Sequence, residues 1–265
     1  MNRSMMRLRN VFFVALFLLL SCSMCFADGT LYQYSTIDSL LLGNYDGELT
    51  VAGLLEHGDV GLGTFNGLDG EMVLVDGIVY RINKRGEAET VTSASRTPFA
   101  VAARFKTDSI LKIDNVTSLE DLNRKIDSAL GSENIFYVVR IDGEFGSVRA
   151  RSVPPQKKPY PPLVDVVKEQ GVFKFSKIKG SLIGVRCPAY VAGIGVDGFH
   201  WHFITEDRKS GGHVLDCSFA NLPAKVGAYT NFLLQLPETS DFLGADLQKD
   251  KKNELKKVEK NPGSS

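Results

Sequence analysis

A stretch of eighteen residues in the C-terminal half constrains the fold more than any other part of the chain. It carries three of the four histidines and runs Gly198-Phe199-His200-Trp201-His202-Phe203-Ile204, then a polar turn-forming segment, then Gly211-Gly212-His213-Val214-Leu215. Because side chains alternate across an extended strand, His200 and His202 lie on one face and the aromatic residues lie on the other. The segment therefore predicts a strand with one apolar face and one face that carries imidazoles.

The polar segment predicts an antiparallel hairpin of defined register. Pairing Thr205 with Ser210 places His213 directly opposite His202, with Cβ atoms roughly 4.5–5.5 Å apart. A slip of one residue would turn His213 to the other face. In this register three imidazoles converge and leave a fourth coordination position open, which is typical of catalytic zinc sites. We therefore predict that His200, His202 and His213 bind Zn²⁺; the alternative is three histidines that never meet a metal.

Short strands and a few helices are predicted for the rest of the chain. Apolar-Asp-Gly triplets recur along the sequence and are typical of strand ends, since Asp-Gly favours turns. A helical pattern covers residues 30–55, and Thr50 is expected to cap a helix that ends at His57. We do not assign His57 to the metal. Ser118 begins a second helix with a capping-box pattern.

Five prolines between positions 154 and 162 predict a crossover between two halves of the chain. Just before them, apolar segments at 136–141 and 147–153 flank an Asp-Gly-Glu turn and are expected to form a hairpin. We predict an N-terminal domain over residues 28–155, a C-terminal domain over 156–240 that carries the histidine hairpin, and a tail over 241–265.

The first 27 residues predict export. Three arginines precede an unbroken apolar run from Val11 to Leu20, which is too short for a spanning helix. Small residues offer a cleavage site before Asp28, whereas Leu19-Leu20-Ser21-Cys22 resembles a bacterial lipobox that would leave Cys22 lipid-anchored. We favour cleavage before Asp28 and expect a periplasmic or secreted protein without a membrane span.

The net charge bears on nucleic-acid binding, and the cysteines bear on a possible disulfide. Loss of the leader leaves 28 basic and 31 acidic residues, a net charge of −3, which excludes the basic field suited to nucleic acid. Cys187 and Cys217 remain after export. An oxidising compartment permits a bridge between them, and two buried thiols are the alternative.

The sequence resembles the alpha-acetolactate decarboxylase family over nearly the whole mature chain. The motifs that carry this resemblance, besides the histidine hairpin, are Gln33-Tyr34-Ser35-Thr36, Gly58-Asp59-Val60-Gly61-Leu62-Gly63-Thr64-Phe65, Leu68-Asp69-Gly70-Glu71-Met72 and Arg149-Ala150-Arg151-Ser152-Val153. The resemblance implies an α/β fold of two sheet-rich domains, with a mixed sheet in the N-terminal one, an antiparallel sheet in the C-terminal one, and a few helices. It also implies a homodimer, a three-histidine zinc site and a C-terminal segment that returns to the active site.

The activity that the resemblance implies is that of a carbon–carbon lyase. Its small-molecule substrate would be 2-hydroxy-2-methyl-3-oxobutanoate, decarboxylated to acetoin and CO₂ in acetoin and butanediol biosynthesis. Loss of CO₂ leaves an electron pair that must flow into the ketone, and a zinc ion could stabilise the resulting enediolate as a Lewis acid. By the same resemblance the assisting residues are Glu71, Arg151 and Glu259. Their rivals by position are Arg149 for the arginine and Glu254 for the last carboxylate.

Two other functions fit the histidines without the resemblance. One is a different three-histidine zinc enzyme, a hydratase or hydrolase that uses zinc-bound hydroxide. The other is an exported metal-binding protein without catalysis. The sequence leaves open the native metal, the proton donor and the enantiomer that is accepted.

Overall fold

A computed structural model of the chain describes residues 29–259. The predicted leader with Cys22, and residues 260–265, lie outside this range. The strands are β1 (Thr30–Tyr34), β2 (Leu49–Thr50), β3 (Val60–Thr64), β4 (Glu71–Val75), β5 (Ile78–Ile82), β6 (Ala88–Thr90), β7 (Arg96–Thr97), β8 (Ala100–Ala103), β9 (Ser109–Val116), β10 (Phe136–Ser152), β11 (Gly171–Cys187), β12 (Gly198–Thr205), β13 (Gly211–Tyr229) and β14 (Asn231–Gln235). The α-helices are α1 (Ile37–Leu41), α2 (Val51–His57), α3 (Leu119–Ala129), α4 (Leu163–Val166), α5 (Ser240–Leu243) and α6 (Lys252–Glu259).

The described part of the chain contains two large sheets and a two-stranded one formed by β2 and β7. The first has seven strands in the order β14-β1-β8-β3-β4-β5-β6 and is mixed, because β1 runs parallel to β14 and antiparallel to β8. The second has five antiparallel strands in the order β10-β11-β12-β13-β9, and β10 also pairs with β13. The predicted α/β class, with one mixed and one antiparallel sheet and few helices, is confirmed.

The two sheets pack against each other through a shared apolar core. Leu62 and Val73 of the first sheet belong to the same buried cluster as Val138 and Ile183 of the second. The outer face of the second sheet is covered by α3, where Leu122 and its neighbours join the cluster that contains Trp201 and Phe203. Residues that point out of β4, β10, β12 and β13 into the space between the sheets can therefore meet.

Helix starts follow the predicted capping chemistry. The Thr50 hydroxyl accepts a hydrogen bond from the backbone N–H of Gly53, and α2 ends at His57 as expected. The Ser118 hydroxyl accepts one from Asp121 N–H and begins α3. Between residues 29 and 259, no helix is both long and apolar enough to cross a membrane.

Two of the predicted elements are wrong. Residues Thr30–Tyr34 form a strand rather than the start of a helix, because they pair with β14 on one side and β8 on the other. The expected hairpin over 136–153 is instead one continuous strand, β10. It runs straight through Asp142-Gly143 because Gly143 pairs with Gly180 of β11 and Phe145 is fully buried in the core.

Sheet membership does not follow the predicted domain limits at residues 155 and 240. Strands β9 and β10 precede residue 155, yet they lie in the second sheet. Strand β14 precedes residue 240, yet it is the edge strand of the first sheet. The limits themselves stay predictions, and the proline-rich segment 154–162 connects β10 to α4.

Candidate metal centre and active site

The histidine hairpin has the predicted register. His202 of β12 pairs with His213 of β13, and the backbone N–H of Thr205 donates to the carbonyl of Ser210 over 2.8 Å. On the other side of β13, His213 pairs with Arg151 of β10. The register that places two histidines opposite each other therefore also brings an arginine beside them.

The three imidazoles form one buried cluster. One ring nitrogen from each of His200, His202 and His213 lies within 4.8 Å of the others, a spacing at which a metal ion could be held. His200 Nε2 is 3.1 Å from His213 Nδ1. Burial, together with the charge of Arg151, lowers the pKa of His200 to about 3, and burial is also the main reason that the pKa values of His202 and His213 lie well below 6.5. The imidazoles are therefore neutral, which is the form that binds metals.

His202 shows which nitrogen is available to a metal. Its Nδ1 lies 2.7 Å from the carbonyl oxygen of Met72 in β4, so Nδ1 carries the proton and donates it. Its Nε2, with the lone pair, is buried without a hydrogen-bond partner. An orphaned acceptor of this kind costs free energy unless something binds it. Three neutral nitrogen donors, one of them buried and unpartnered, fit a zinc ion.

Two carboxylates lie beside the histidines, each next to a different imidazole. Glu71 begins β4, is only 7% exposed, and its Oε2 lies 3.6 Å from His202 Nε2. Glu259 ends the described part of α6, and its Oε2 lies 3.5 Å from His213 Nε2. Burial raises the pKa of both carboxyl groups to about 7, against the opposing effect of Arg151. Each group can therefore hold or release a proton near neutral pH.

Arg151 lines the same small cavity as the two carboxylates and two of the histidines. It is 4% exposed, its charge acts on both Glu71 and Glu259, and its Nε is buried without a hydrogen-bond partner. Arg149 lies elsewhere, because the pairing of β10 with β13 shifts register between Arg149 and Ala150. Arg149 lines an outer groove instead. Of the two arginines, Arg151 is the one that pairs with His213, and its role in the reaction stays a prediction.

Glu259, the site residue predicted in the C-terminal tail, also reaches the histidine cluster. Composition alone suggests a solvated face for Lys256-Lys257-Val258-Glu259, but Leu255 and Val258 are buried and carry Glu259 to His213. Glu254, its rival, lies near Lys251 rather than near a histidine. The structure thus brings together all six residues that the sequence singles out.

Two cavities adjoin the cluster. A small one of about 30 Å³ is lined by His200 and His213, and a groove of about 1150 Å³ runs along α6; His213 and Glu259 line both. Sequence reasoning missed the apolar side chains of the small cavity, which come from distant parts of the chain and include Ile37 and Leu40 of α1, Phe99 just before β8, and Val258 of α6. Nothing in their local pattern differs from that of ordinary core residues.

The remaining sequence candidates lie away from the site. His57 stacks on Tyr32, with ring centroids 3.6 Å apart and planes within 2°. Cys187 and Cys217 are both free thiols and both buried, which is the second of the two alternatives considered for them.

Comparison with known proteins identifies relatives over most of the chain. Residues 31–249 match the family model described as alpha-acetolactate decarboxylase. Proteins of that name from Methanosarcina mazei and Bacillus subtilis strain 168 are 47% and 43% identical over 234 residues each, which is 88% of this chain and 81% and 91% of theirs. The crystal structure of alpha-acetolactate decarboxylase from Bacillus subtilis strain 168 superimposes with a TM-score of 0.85 at 41% identity and covers 88% of this chain and 100% of that one.

Proposed function

The chain belongs to the alpha-acetolactate decarboxylase family of carbon–carbon lyases, and from this premise we propose that it converts 2-hydroxy-2-methyl-3-oxobutanoate to acetoin and CO₂ with a zinc ion bound by His200, His202 and His213. The observation that carries the zinc proposal is the buried, unpartnered Nε2 of His202 inside a cluster of neutral imidazoles.

Zinc at this position would supply a Lewis acid for the ketone and hydroxyl oxygens of the substrate, where negative charge develops as CO₂ leaves. The protein contributes the rigid frame around it. His200 and His202 are fixed by a paired strand, and His202 is oriented by its bond to the Met72 carbonyl. Such a support from outside the metal site fixes ring orientation and tautomer.

Arg151 binds the substrate carboxylate in this proposal. The guanidinium offers a planar fork of donors that matches a carboxylate, and its Nε has no partner of its own. Because the guanidinium is buried beside the histidines, a carboxylate bound to it would hold the rest of the substrate next to the three imidazoles that would bind the metal. This arrangement holds the breaking C–C bond in one orientation.

The two carboxylates, Glu71 and Glu259, have different roles in this proposal. After CO₂ leaves, the electron pair moves into the ketone, and C2 must gain one proton to give acetoin. Glu71 lies 3.6 Å from the His202 imidazole and Glu259 lies 3.5 Å from that of His213. We infer that Glu71 is the acid–base group of the reaction, and that Glu259 closes the pocket on the side of the groove.

The decisive experiment follows acetoin formation from racemic acetolactate by the purified protein. We expect activity that is lost on chelation, restored by Zn²⁺ and absent in His200→Ala. Metal content measured on the same samples should fall with the activity. Acetoin formation that survives both chelation and His200→Ala would remove the metal from the mechanism.

We also propose that the protein is exported and works as a homodimer. The basic and apolar leader supports export, and the family resemblance supports the dimer. Amino-terminal sequencing of the mature protein from the producing cells tests the first proposal, since it should begin at Asp28; a lipid-modified Cys22 would replace that expectation. Light scattering after size exclusion tests the second.

A further inference from the structure

An unexpected residue stands directly before α6, beside its inner face. The buried residues between positions 251 and 258 are Lys251, Leu255 and Val258, and Glu259 follows them into the active site. The carbonyl of Lys251 accepts a hydrogen bond from the N–H of Leu255 over 2.9 Å, and spacings of four and three residues place these side chains on one side of the helix. An amphipathic helix normally fills such a face with apolar residues. Lysine therefore occupies the first position of a face that docks against the protein.

Lys251 differs from the other lysines of this segment in its burial. It is 7% exposed, whereas Lys252, Lys256 and Lys257 are exposed. Lysine is almost never buried unless it is paired. It also flanks the start of α6, where the helix dipole disfavours a positive charge. The position is therefore costly unless negative groups compensate for it.

Two acidic residues interact with the charge of Lys251. Glu254 of α6 has its Oε2 3.8 Å from Lys251 Nζ. Asp38 of α1 lines the same groove as Lys251, and the charge of Lys251 opposes the rise that burial causes in the pKa of the Asp38 carboxyl group. The main chain that carries Asp38 is held in place, since its backbone N–H donates to the carbonyl of Gly193 over 3.2 Å.

We propose that Lys251 is a positioning residue, whose buried ammonium, in the groove that Asp38 of α1 also lines, seats α6 so that Glu259 reaches the histidine cluster. Leu255 and Val258 supply the area that docks the helix, but apolar contacts alone permit it to slide or rotate. A buried charge at one end, attracted by a carboxylate of another helix, favours one position along the groove. The proposal rests on the proposed function, because it gives Lys251 its effect on catalysis through Glu259.

Lys251→Met tests this inference, because methionine keeps an unbranched apolar stem and removes the charge. The matched control is Lys252→Met, the same change at the neighbouring exposed residue. Lys251→Arg should rescue, since it restores the charge. Hydrogen exchange of the amides of α6 reports docking independently of catalysis. Exchange in α3 serves as the internal reference, since unchanged protection there shows that the fold is intact.

We expect Lys251→Met to raise amide exchange in α6 and to lower kcat for acetolactate, each by about tenfold, as the loss of one interaction with a charged group implies. KM should change little, because Arg151 is untouched. Lys252→Met should match the unmodified protein in both measurements. In an Asp38→Asn background, Lys251→Met should have a smaller effect, since its partner is already neutral.

The outcomes separate this inference from the proposed function. Equal exchange in Lys251→Met and Lys252→Met would overturn the seating of α6 by Lys251. Raised exchange with unchanged kcat would overturn its role as a positioning residue. Full activity in Glu259→Gln would instead remove the proposed role of Glu259, while the exchange data would still decide the seating of the helix.

Discussion

Gly184 of β11 packs against the histidine hairpin through Trp201. It pairs with Trp201, which lies between His200 and His202 on β12. A Cβ atom at Gly184 would lie 2.2 Å from the Trp201 ring, with further ring atoms at 2.3 and 2.6 Å. Trp201 is 1% exposed, and its Nε1 donates a hydrogen bond to Asn123 Oδ1 over 2.8 Å. The indole ring is therefore held in place and cannot easily move away from an added methyl group.

The size of the conflict follows from these distances. Ordinary contact begins at 3.4 Å, so Gly184→Ala requires the ring or the strand to retreat by the difference between 3.4 and 2.2 Å, about 1.2 Å. Overpacking of this kind costs about 1–3 kcal/mol. A metal site tolerates displacements of only about 0.5 Å, so zinc binding should weaken as well if the strand takes up part of the shift. Gly131→Ala is the matched control, because a Cβ there meets nothing within 4 Å.

Chemical unfolding of the metal-free protein measures the first effect. Trp201 is the only tryptophan in the sequence, so its fluorescence reports on the packing behind the hairpin. We expect Gly184→Ala to lower the free energy of unfolding by about 1–3 kcal/mol and Gly131→Ala to leave it unchanged or slightly raised. Equal unfolding midpoints for the two variants would refute the packing argument.

Three further outcomes test other parts of the structure. His202→Ala should lose bound metal, measured by elemental analysis, while His57→Ala should retain it; metal loss in both would point to a different site. Arg151→Lys should lower kcat/KM by about 10- to 100-fold, since the fork that pairs with a carboxylate is lost, whereas Arg149→Lys should change it little; the reverse order would favour Arg149 as the substrate ligand. Ser118→Ala should cost about 1 kcal/mol in thermal unfolding through loss of the α3 cap, and an unchanged melting temperature would show that the cap contributes nothing.

The histidine hairpin is the part of the site that the sequence predicts best, because the features that define it lie close together in the chain. Alternation fixes which residues share a face, and the short turn fixes which residue of β13 meets His202. Both rules act within sixteen residues of chain, from Gly198 to His213. No long-range contact was needed to place the third imidazole.

Local patterns fail where long-range pairing decides the outcome. Asp142-Gly143 is a favourable turn by itself, but β11 pairs with β10 along both sides of it and Phe145 is buried there. Likewise Thr30–Tyr34 becomes extended only because β8 and β14 flank it. In both places the paired strands and the buried side chains outweigh the local preference.

Local patterns also fail to place the two carboxylates of the site. Glu71 comes from the first sheet and Glu259 from the last helix, and each meets a histidine of the second sheet. Their placement depends on how β4 and α6 pack, and no periodicity within either segment encodes that. Only the family resemblance pointed to these two residues. The resemblance did not point to Lys251. This residue differs from the neighbouring lysines only in its burial, which depends on how α6 docks and cannot be read from the sequence.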